Sequence, residues 1–488
     1  MKKLLSISII LALGFLCASP CLAQAQKPSD LKYPPLKYDP PNPNDFRMEF
    51  KNGLRGYIKE ERELPLFDIS AQINFGSLYV PDDKVGLASL MSSTMIKGGT
   101  ATREGTTIEE RISFLGGSLS FRASERTSTL TLSVLSKDMD EGLELFFDVL
   151  MNPQFREEAL NLAKASVIAQ LRQANDQPNG VLGREFERLL YGPHQLTRQP
   201  TQKTYEGVTS DDLKAAHAQY FFPKNVILAA SGDFAKAELK VKLDKYAAAW
   251  ANQNVELPFF SKKFPEAESG VYFIQKSINQ GYISIGHLGL EETNPDYYAV
   301  QVMNFILGGG SFTSRITMKV RSDEGLSYSQ GSRYRYRWGY PGTFSGFVTT
   351  KSSTVGYAIS LILAEFNRIR TESVTDHEMD TAINYYLESF SNTFESGQRT
   401  MSTFADLEMT GKPMNYYSTF RDKIEAVNKA KVQEVAKKYV RPDNAVIMIV
   451  GDFEPCNAGG DQWPGPLDKL GKIHTINLKD PLTGEEIK

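Results

Sequence analysis

Apolar residues alternate with polar ones in several short stretches of the chain, and this pattern predicts half-buried β-strands. The clearest alternation lies at residues 67–75, 118–121, 126–135, 280–290, 334–340 and 343–349. Apolar residues spaced three and four apart predict helices at 88–95, 107–115, 139–151, 156–175, 298–307, 355–370 and 376–393. Strands and helices are mixed in both halves of the chain, so the sequence predicts an α+β protein.

One apolar strand, at residues 226–230, is flanked by residues that recur later in the chain. Six of these residues recur 219 positions later in the chain, so that residue 220, for example, corresponds to residue 439. The identical pairs are Tyr220 and Tyr439, Pro223 and Pro442, Asn225 and Asn444, Gly232 and Gly451, Asp233 and Asp452, Phe234 and Phe453. Identities at a single offset predict an internal duplication. We therefore expect two homologous domains at 46–250 and 271–475, with a linker at 251–270 and a tail at 476–488.

The first 45 residues have the pattern of a targeting segment followed by an extended arm. Lys2-Lys3 precede an apolar run over 4–16, and Ala23-Gln24-Ala25 matches a signal-peptidase site. These features predict a signal peptide over 1–25 and a Pro-rich arm over 26–45. We expect a periplasmic or secreted protein that is soluble after cleavage near Ala25 and has no transmembrane segment.

The cysteine count and the net charge bear on disulfide bonds, lipid attachment and nucleic-acid binding. Removal of the signal peptide leaves Cys456 as the only cysteine, so no internal disulfide is expected. Cys17 and Cys21 lack a preceding small-residue lipobox, so lipidation at either is the weaker alternative. The net charge of −3 gives no reason to expect a nucleic-acid partner. The Tyr-Arg alternation at 334–337 is typical of a strand with one buried and one wet face.

The stretch at 86–100 is a short helix followed by a glycine pair. Ala88, Met91 and Met95 form an apolar stripe, and Gly98-Gly99 supplies the exit. Its frame is G-x-x-S-x-x-S-S, followed by a spacer and Gly-Thr. The frame resembles the zinc-binding helix of the insulinase/pitrilysin (M16, inverzincin) metallopeptidases, which read G-x-x-H-x-x-E-H.

The resemblance covers residues 46–453. Residues 307–315 and 320–328 are similar to the family's second-domain consensus L-G-G-G-x-x-S-R-L…L-R-x-x-x-G-L-x-Y. Residues 389–412 are similar to its S-F-x-x-x-F-E…A…G-x-P pattern. The resemblance implies the metalloprotease LuxS/M16-like fold, in which two domains, each an antiparallel-rich sheet packed with helices, are arranged as a clamshell.

At the metal-site positions this chain departs from the family. Ser89, Ser92 and Ser93 stand for His, Glu and His, and Gln170 stands about 77 residues later for a further Glu. Hydroxyls are poor zinc ligands, and serine cannot replace the general base. We expect no cofactor in this chain and no autonomous peptidase activity. Nearby carboxylates are expected on solvated helix faces: Glu157, Glu158 and Glu185.

The second domain keeps Arg321 and Tyr328. The resemblance implies that the Arg orients the substrate backbone and that the Tyr hydroxyl binds the tetrahedral oxyanion. The residues alone leave an alternative, in which Arg321 forms a structural ion pair with Asp323 or Glu324. In that alternative Tyr328 is a half-buried strand residue.

Some two-chain members of the family place the zinc motif on one subunit and the Arg/Tyr pair on the other. The resemblance therefore implies a zinc-free subunit that acts in trans with a homologous zinc-bearing partner on unfolded peptides. The alternative is a non-enzymatic subunit, either peptide-binding or structural like a core protein, with no role in catalysis.

Overall fold

The computed structural model describes residues 38–253, 255, 260–337 and 339–487. The predicted signal peptide, most of the Pro-rich arm, Cys17 and Cys21 lie outside the described residues. Residues 40–488 form one compact unit. Within the described ranges, no helix is long and apolar enough to cross a membrane.

The chain alternates strands and helices in both halves. The strands are β1 (Arg47–Glu49), β2 (Arg55–Glu60), β3 (Leu66–Ile73), β4 (Ser118–Ala123), β5 (Ser128–Leu135), β6 (Val226–Gly232), β7 (Gly270–Gln275), β8 (Gln280–Leu288), β9 (Ser329–Tyr334), β10 (Thr343–Lys351), β11 (Val446–Gly451), β12 (Gly459–Gly460), β13 (Trp463–Pro464) and β14 (Ile473–Thr475). The helices are α1 (Leu87–Thr94), α2 (Gly105–Phe114), α3 (Met139–Met151), α4 (Glu157–Arg172), α5 (Pro178–Tyr191), α6 (Gln202–Glu206), α7 (Ser210–Tyr220), α8 (Lys236–Ala249), α9 (Tyr297–Asn304), α10 (Arg315–Thr317), α11 (Val355–Thr371), α12 (Asp376–Ser389), α13 (Gly397–Thr410), α14 (Phe420–Glu425), α15 (Lys429–Tyr439) and α16 (Phe453–Ala458).

Two six-stranded sheets organise these elements. Their strand orders are β1-β2-β6-β3-β5-β4 and β14-β7-β11-β8-β10-β9. Pairing is antiparallel except where β2 meets β6 and where β7 meets β11 and β14. The five strands from β2 to β4 in the first sheet and the five from β7 to β9 in the second follow the same pattern. Numbered by their order in the chain, both sets lie in the spatial order first, fifth, second, fourth and third. The predicted α+β class, with two antiparallel-rich domains, is therefore confirmed.

The recurring residues of the sequence bracket the same element in both sheets. A single 3₁₀ turn, Pro223–Asn225 or Pro442–Asn444, leads into a central strand. Those strands, β6 and β11, are buried along their whole length. Each ends at the repeated glycine, Gly232 or Gly451. The repeat therefore marks the centre of each sheet, where burial on both faces demands a continuous apolar run.

Each sheet is also covered by a helix from the other half of the chain. Helix α5 packs on β8 and β11, where Phe186 joins a buried cluster with Met448 and Ile274. Helix α13 packs on β2, β3 and β6, where Phe404 joins a cluster with Tyr57. Each half of the chain therefore supplies a helix that buries one face of the other half's sheet. Without that helix, the apolar residues on that face would be exposed.

The predicted strand at 334–340 is wrong. Strand β9 ends at Tyr334, and the alternation beyond it has another cause. The ring of Tyr336 stacks on Tyr334 with centroids 5.1 Å apart. Arg337 forms an ion pair with Glu125 and contacts Glu187 at 3.6 Å. The tyrosines therefore pack on each other and the arginine forms ion pairs, so the Tyr-Arg alternation in this segment does not require a β-strand.

Candidate functional site

The helix that corresponds to the metal-binding frame is α1, in which Ser89 is exposed and the hydroxyls of Ser92 and Ser93 bind backbone groups. The Ser92 hydroxyl donates to the carbonyl of Ala88 at 3.1 Å and accepts the N–H of Ala123 at 2.8 Å. The Ser93 hydroxyl donates to the carbonyl of Ser89 at 3.3 Å. Ser92 thus attaches α1 to the last residue of the edge strand β4.

Gln170 lies near the end of α4 and is exposed. Its amide donates to the hydroxyl of Ser166, one turn earlier, at 3.4 Å. A cleft of about 1030 Å³ is lined by Ser92, Ser93 and Ser166, among other residues of the first half. The structure therefore brings α1 and α4 together as the resemblance implies, but Gln170 is not among the residues that line the cleft.

The donors at these four positions do not fit a zinc ion. Zinc in proteins takes thiolate, imidazole or carboxylate ligands, and here hydroxyls and an amide are engaged with protein groups. Across the described part of the chain, no group of three or more His, Cys, Asp and Glu side chains is placed to hold a metal. Glu185, expected on a solvated face, is instead 3% exposed and pairs with Arg184 and Arg188.

Replacing Ser92 by alanine tests whether the serine now has a structural role. The change removes the acceptor of the Ala123 N–H, and we expect a loss of about 1 kcal/mol in the free energy of unfolding. Ser93→Ala is the matched control, with an expected effect within about 0.5 kcal/mol because its hydroxyl bonds only its own helix among the described residues. Urea unfolding curves measure both. Equal losses would contradict a special role for Ser92.

Arg321 and Tyr328 lie together in the second half, with a third residue that the sequence did not single out. The guanidinium carbon of Arg321 is 4.5 Å from the ring centroid of Phe312 and 5.1 Å from that of Tyr328. Both rings are exposed, at 60% for Phe312 and 89% for Tyr328. We call these three residues the aromatic clamp. Cation–π contacts with two rings hold the guanidinium without using its N–H groups as hydrogen-bond donors to the protein.

The ion-pair alternative for Arg321 is wrong. Lys319 takes both carboxylates, Glu324 at 2.9 Å and Asp323 at 3.8 Å. Tyr328 precedes β9 and is not half-buried. Within the described ranges, Arg321 has no ion pair and the Tyr328 hydroxyl has no hydrogen bond. Both polar groups are therefore available to a ligand.

The backbone beside Phe312 is held in an uncommon conformation. Ser311 has φ +49°, in the left-handed region that non-glycine residues rarely adopt. Gly308 lies against β9, where an added Cβ would be 2.3 Å from the backbone N of Ser332. Close packing of Gly308 on the sheet thus anchors the backbone four residues before Phe312. Strained residues of this kind cluster at functional sites. The glycine-rich segment was the signal for this turn, but it did not identify the aromatic residue.

The fold and these two sites define an inactive-type member of a class of two-domain metallopeptidases. The chain belongs to peptidase family M16. Residues 66–201 match the family described as "Insulinase (Peptidase family M16)". Residues 207–386 match "Peptidase M16 inactive domain".

The similar proteins carry contrasting descriptions. An uncharacterised zinc protease, YmxG of Bacillus subtilis, is 22% identical over 409 residues, which cover 83% of this chain and 97% of that protein. A non-peptidase homolog, YmxG of Helicobacter pylori, is 23% identical over 399 residues, covering 81% and 91%. The crystal structure of a peptidase M16 inactive domain from Pseudomonas fluorescens has a TM-score of 0.74 at 23% identity, covering 83% and 98%. That likeness shows the common fold.

Proposed function

We propose that this chain is the zinc-free subunit of a periplasmic heterodimeric M16-type metallopeptidase. It supplies Arg321 and Tyr328 in trans to a homologous zinc-bearing subunit, and the pair of chains acts on unfolded peptides. The aromatic clamp is the observation that carries the proposal. It exposes an arginine and a tyrosine with open polar groups in a chain whose own metal-site positions are serines and a glutamine.

The chemistry of the clamp suits a peptide whose scissile bond is attacked by water. The in-plane N–H groups of Arg321 are suited to donate to backbone carbonyls of the peptide, and the aromatic rings hold the guanidinium plane. The Tyr328 hydroxyl is suited to donate to the oxyanion as negative charge develops. The partner, which carries an intact H-x-x-E-H motif, supplies the zinc and the general base that this chain lacks.

Reconstitution tests the proposal directly. The mature chain and an M16 chain with an intact H-x-x-E-H motif from the same organism are purified and assayed on an unfolded peptide, separately and mixed. We expect cleavage only by the mixture. Cleavage by this chain alone would contradict the trans arrangement. Equal cleavage by the partner without this chain would favour the non-enzymatic peptide-binding or structural alternative.

Metal removal separates the roles of the two chains. A chelator such as 1,10-phenanthroline is expected to abolish cleavage by the mixture, and added zinc is expected to restore it, because the metal belongs to the partner. The melting temperature of this chain alone is expected to stay the same with and without chelator. A lower melting temperature in chelator would contradict the assignment, since a bound structural or catalytic metal stabilises the folded state.

A further inference from the structure

A second site lies between α5 and the second sheet, apart from the aromatic clamp and from α1. It is a cavity of about 330 Å³, in the lower range of volumes typical of ligand sites. Its roof is one face of α5, where Asn179, Gly183 and Glu187 follow each other at intervals of one turn. Its floor is formed by residues of β8, β9 and β10. The two halves of the chain therefore build the cavity jointly.

Among the charged residues that line the cavity, one arginine has no hydrogen-bond acceptor in the described part of the chain. Glu187 contacts Arg335 at 2.9 Å and Arg337 at 3.6 Å. Arg333 lies on β9, with its guanidinium carbon 4.6 Å from the ring centroid of Phe347. No carboxylate or carbonyl among the described residues accepts from Arg333. The cavity therefore carries an excess of positive charge, on a side chain that an aromatic ring holds in place.

The neutral groups of the floor are also unpaired. In an antiparallel sheet, alternate residues of neighbouring strands share one face. Five hydroxyl residues share the face of Arg333 and line the cavity: Ser284, Ser329, Thr343, Ser345 and Thr349. None of these hydroxyls hydrogen-bonds another residue in the described part of the chain. The guanidinium of Arg333 can only donate, and each hydroxyl on this face can donate one hydrogen, so together they can bind the oxygen atoms of an anionic ligand.

The cavity begins where the aromatic clamp ends. Ser329 and Thr349 line one end of the cavity, and Ser329 follows Tyr328 directly in the chain. Arg333 lies four residues further along β9, which corresponds to about 13 Å in a strand. An extended peptide whose backbone is held at Tyr328, one residue before Ser329, therefore reaches Arg333 with a group roughly five residues away.

We propose that this cavity is a carboxylate-binding subsite for the peptide, with Arg333 as the charged donor and the surrounding hydroxyls as neutral partners. The carboxylate is either the C-terminus of the peptide or an Asp or Glu side chain. The inference rests on the proposed function only in taking unfolded peptides as ligands. It requires neither the zinc-bearing partner nor cleavage.

Titration calorimetry with the mature chain tests the subsite. Three unlabelled peptides of one sequence are compared: one without acidic residues and with a free C-terminus, the same peptide with a C-terminal amide, and the amide with one internal Glu. We expect a carboxylate-bearing peptide to bind at least about 10-fold more tightly than the neutral amide. The preferred peptide shows whether the carboxylate comes from the C-terminus or from a side chain.

Two variants locate the effect. Arg333→Gln is expected to abolish the preference for a carboxylate. Arg122→Gln is the matched control, because Arg122 is an exposed arginine at the fifth position of the edge strand β4, as Arg333 is in β9. It is expected to keep the preference. Equal binding of all three peptides, binding by none of them, or an unchanged preference in Arg333→Gln would overturn the proposal. Any of those results leaves the reconstitution experiment to be judged separately.

Discussion

Replacing Tyr328 by phenylalanine is expected to slow peptide cleavage by the reconstituted heterodimer about 10²–10³-fold, mostly in kcat. The change removes one hydroxyl and keeps the ring that stacks on Arg321 at 5.1 Å. An oxyanion donor acts only as charge develops, so its loss lowers kcat with little effect on substrate binding. Steady-state rates with one unfolded peptide, over a range of concentrations, separate the two parameters.

Tyr385→Phe is the matched control for that experiment. Tyr385 is another exposed tyrosine of the second half, 53% exposed on α12, and it is not part of the clamp. Its replacement is expected to leave both kcat and KM unchanged. If Tyr328→Phe retained the full rate, the hydroxyl would have no role in the reaction, and the catalytic part of the proposed function would be wrong.

The clamp geometry also predicts how the other two members respond. Arg321→Lys keeps the positive charge but loses the planar group that contacts both rings, so it is expected to raise KM. Phe312 acts through Arg321 and is a positioning residue. Phe312→Ala is expected to raise KM in the same direction, and Phe312→Tyr is expected to restore it, because either aromatic ring holds the guanidinium. Failure of Phe312→Tyr to rescue would contradict a stacking role.

Sequence reasoning identified what depends on local spacing. The frame of α1 predicted the serine-substituted helix, because three residues at intervals of three and one lie on one helical face whatever surrounds them. The duplicated residues predicted two homologous domains with an apolar strand at each copy, and these strands are β6 and β11. Both inferences use periodicity and repetition along the chain, which a sequence displays directly.

The exchange of α5 and α13 depends on long-range packing and was not predicted. An amphipathic stripe shows that a helix is buried on one face but not which sheet covers it. For α5 no bounds were predicted, although Glu185 was expected on a helix face, because Pro178, Gly180 and Gly183 are typical of turns. Pro178 begins the helix, where its missing N–H has no cost, and Gly183 faces the cavity of Arg333.

Phe312 was missed for a different reason. An exposed aromatic side chain in a loop has no periodic signal, and its role appears only when Arg321 is placed beside it in space. The same limit applies to Arg333, since its unpaired state depends on which carboxylates Arg335 and Arg337 contact. Phe312 and Arg333 could therefore be recognised as site residues only from the structure, which shows the contacts made by the side chains around them.

Replacing Glu408 by alanine is expected to lower the free energy of unfolding by about 2–3 kcal/mol. Glu408 lies on α13, and the residues it binds lie on β1 and β2 of the other half. Its carboxylate accepts from the Tyr57 hydroxyl at 2.6 Å, from Arg47 at 2.9 Å and from Arg55 at 2.9 Å. Burial alone would raise the pKa of Glu408, but the bonds from Arg47 and Tyr57 and the charge of Arg55 keep the pKa below its ordinary value. Loss of one partner of a fully buried ion pair costs about 3–5 kcal/mol. The cost is lower here, because both arginines are partly exposed, Arg47 keeps its ion pair with Glu49 and Arg55 keeps its bond to the carbonyl of Lys224.

A double-mutant cycle with Tyr57→Phe distinguishes the bond across the two halves from general disruption of the helix. Tyr57→Phe removes one buried hydrogen bond and is expected to cost about 1–1.5 kcal/mol. In the Glu408→Ala background the same change is expected to cost much less, because the acceptor is already gone. The chain has three tryptophans, Trp250 in the first half and Trp338 and Trp463 in the second. Urea unfolding followed by tryptophan fluorescence therefore reports each half separately in variants that keep only Trp250 or only Trp463. Because α13 completes the core of the first half from the second, the midpoints at both tryptophans are expected to fall together. A shift at only one of them, or strictly additive losses, would show that Glu408 stabilises its own half and does not join the two.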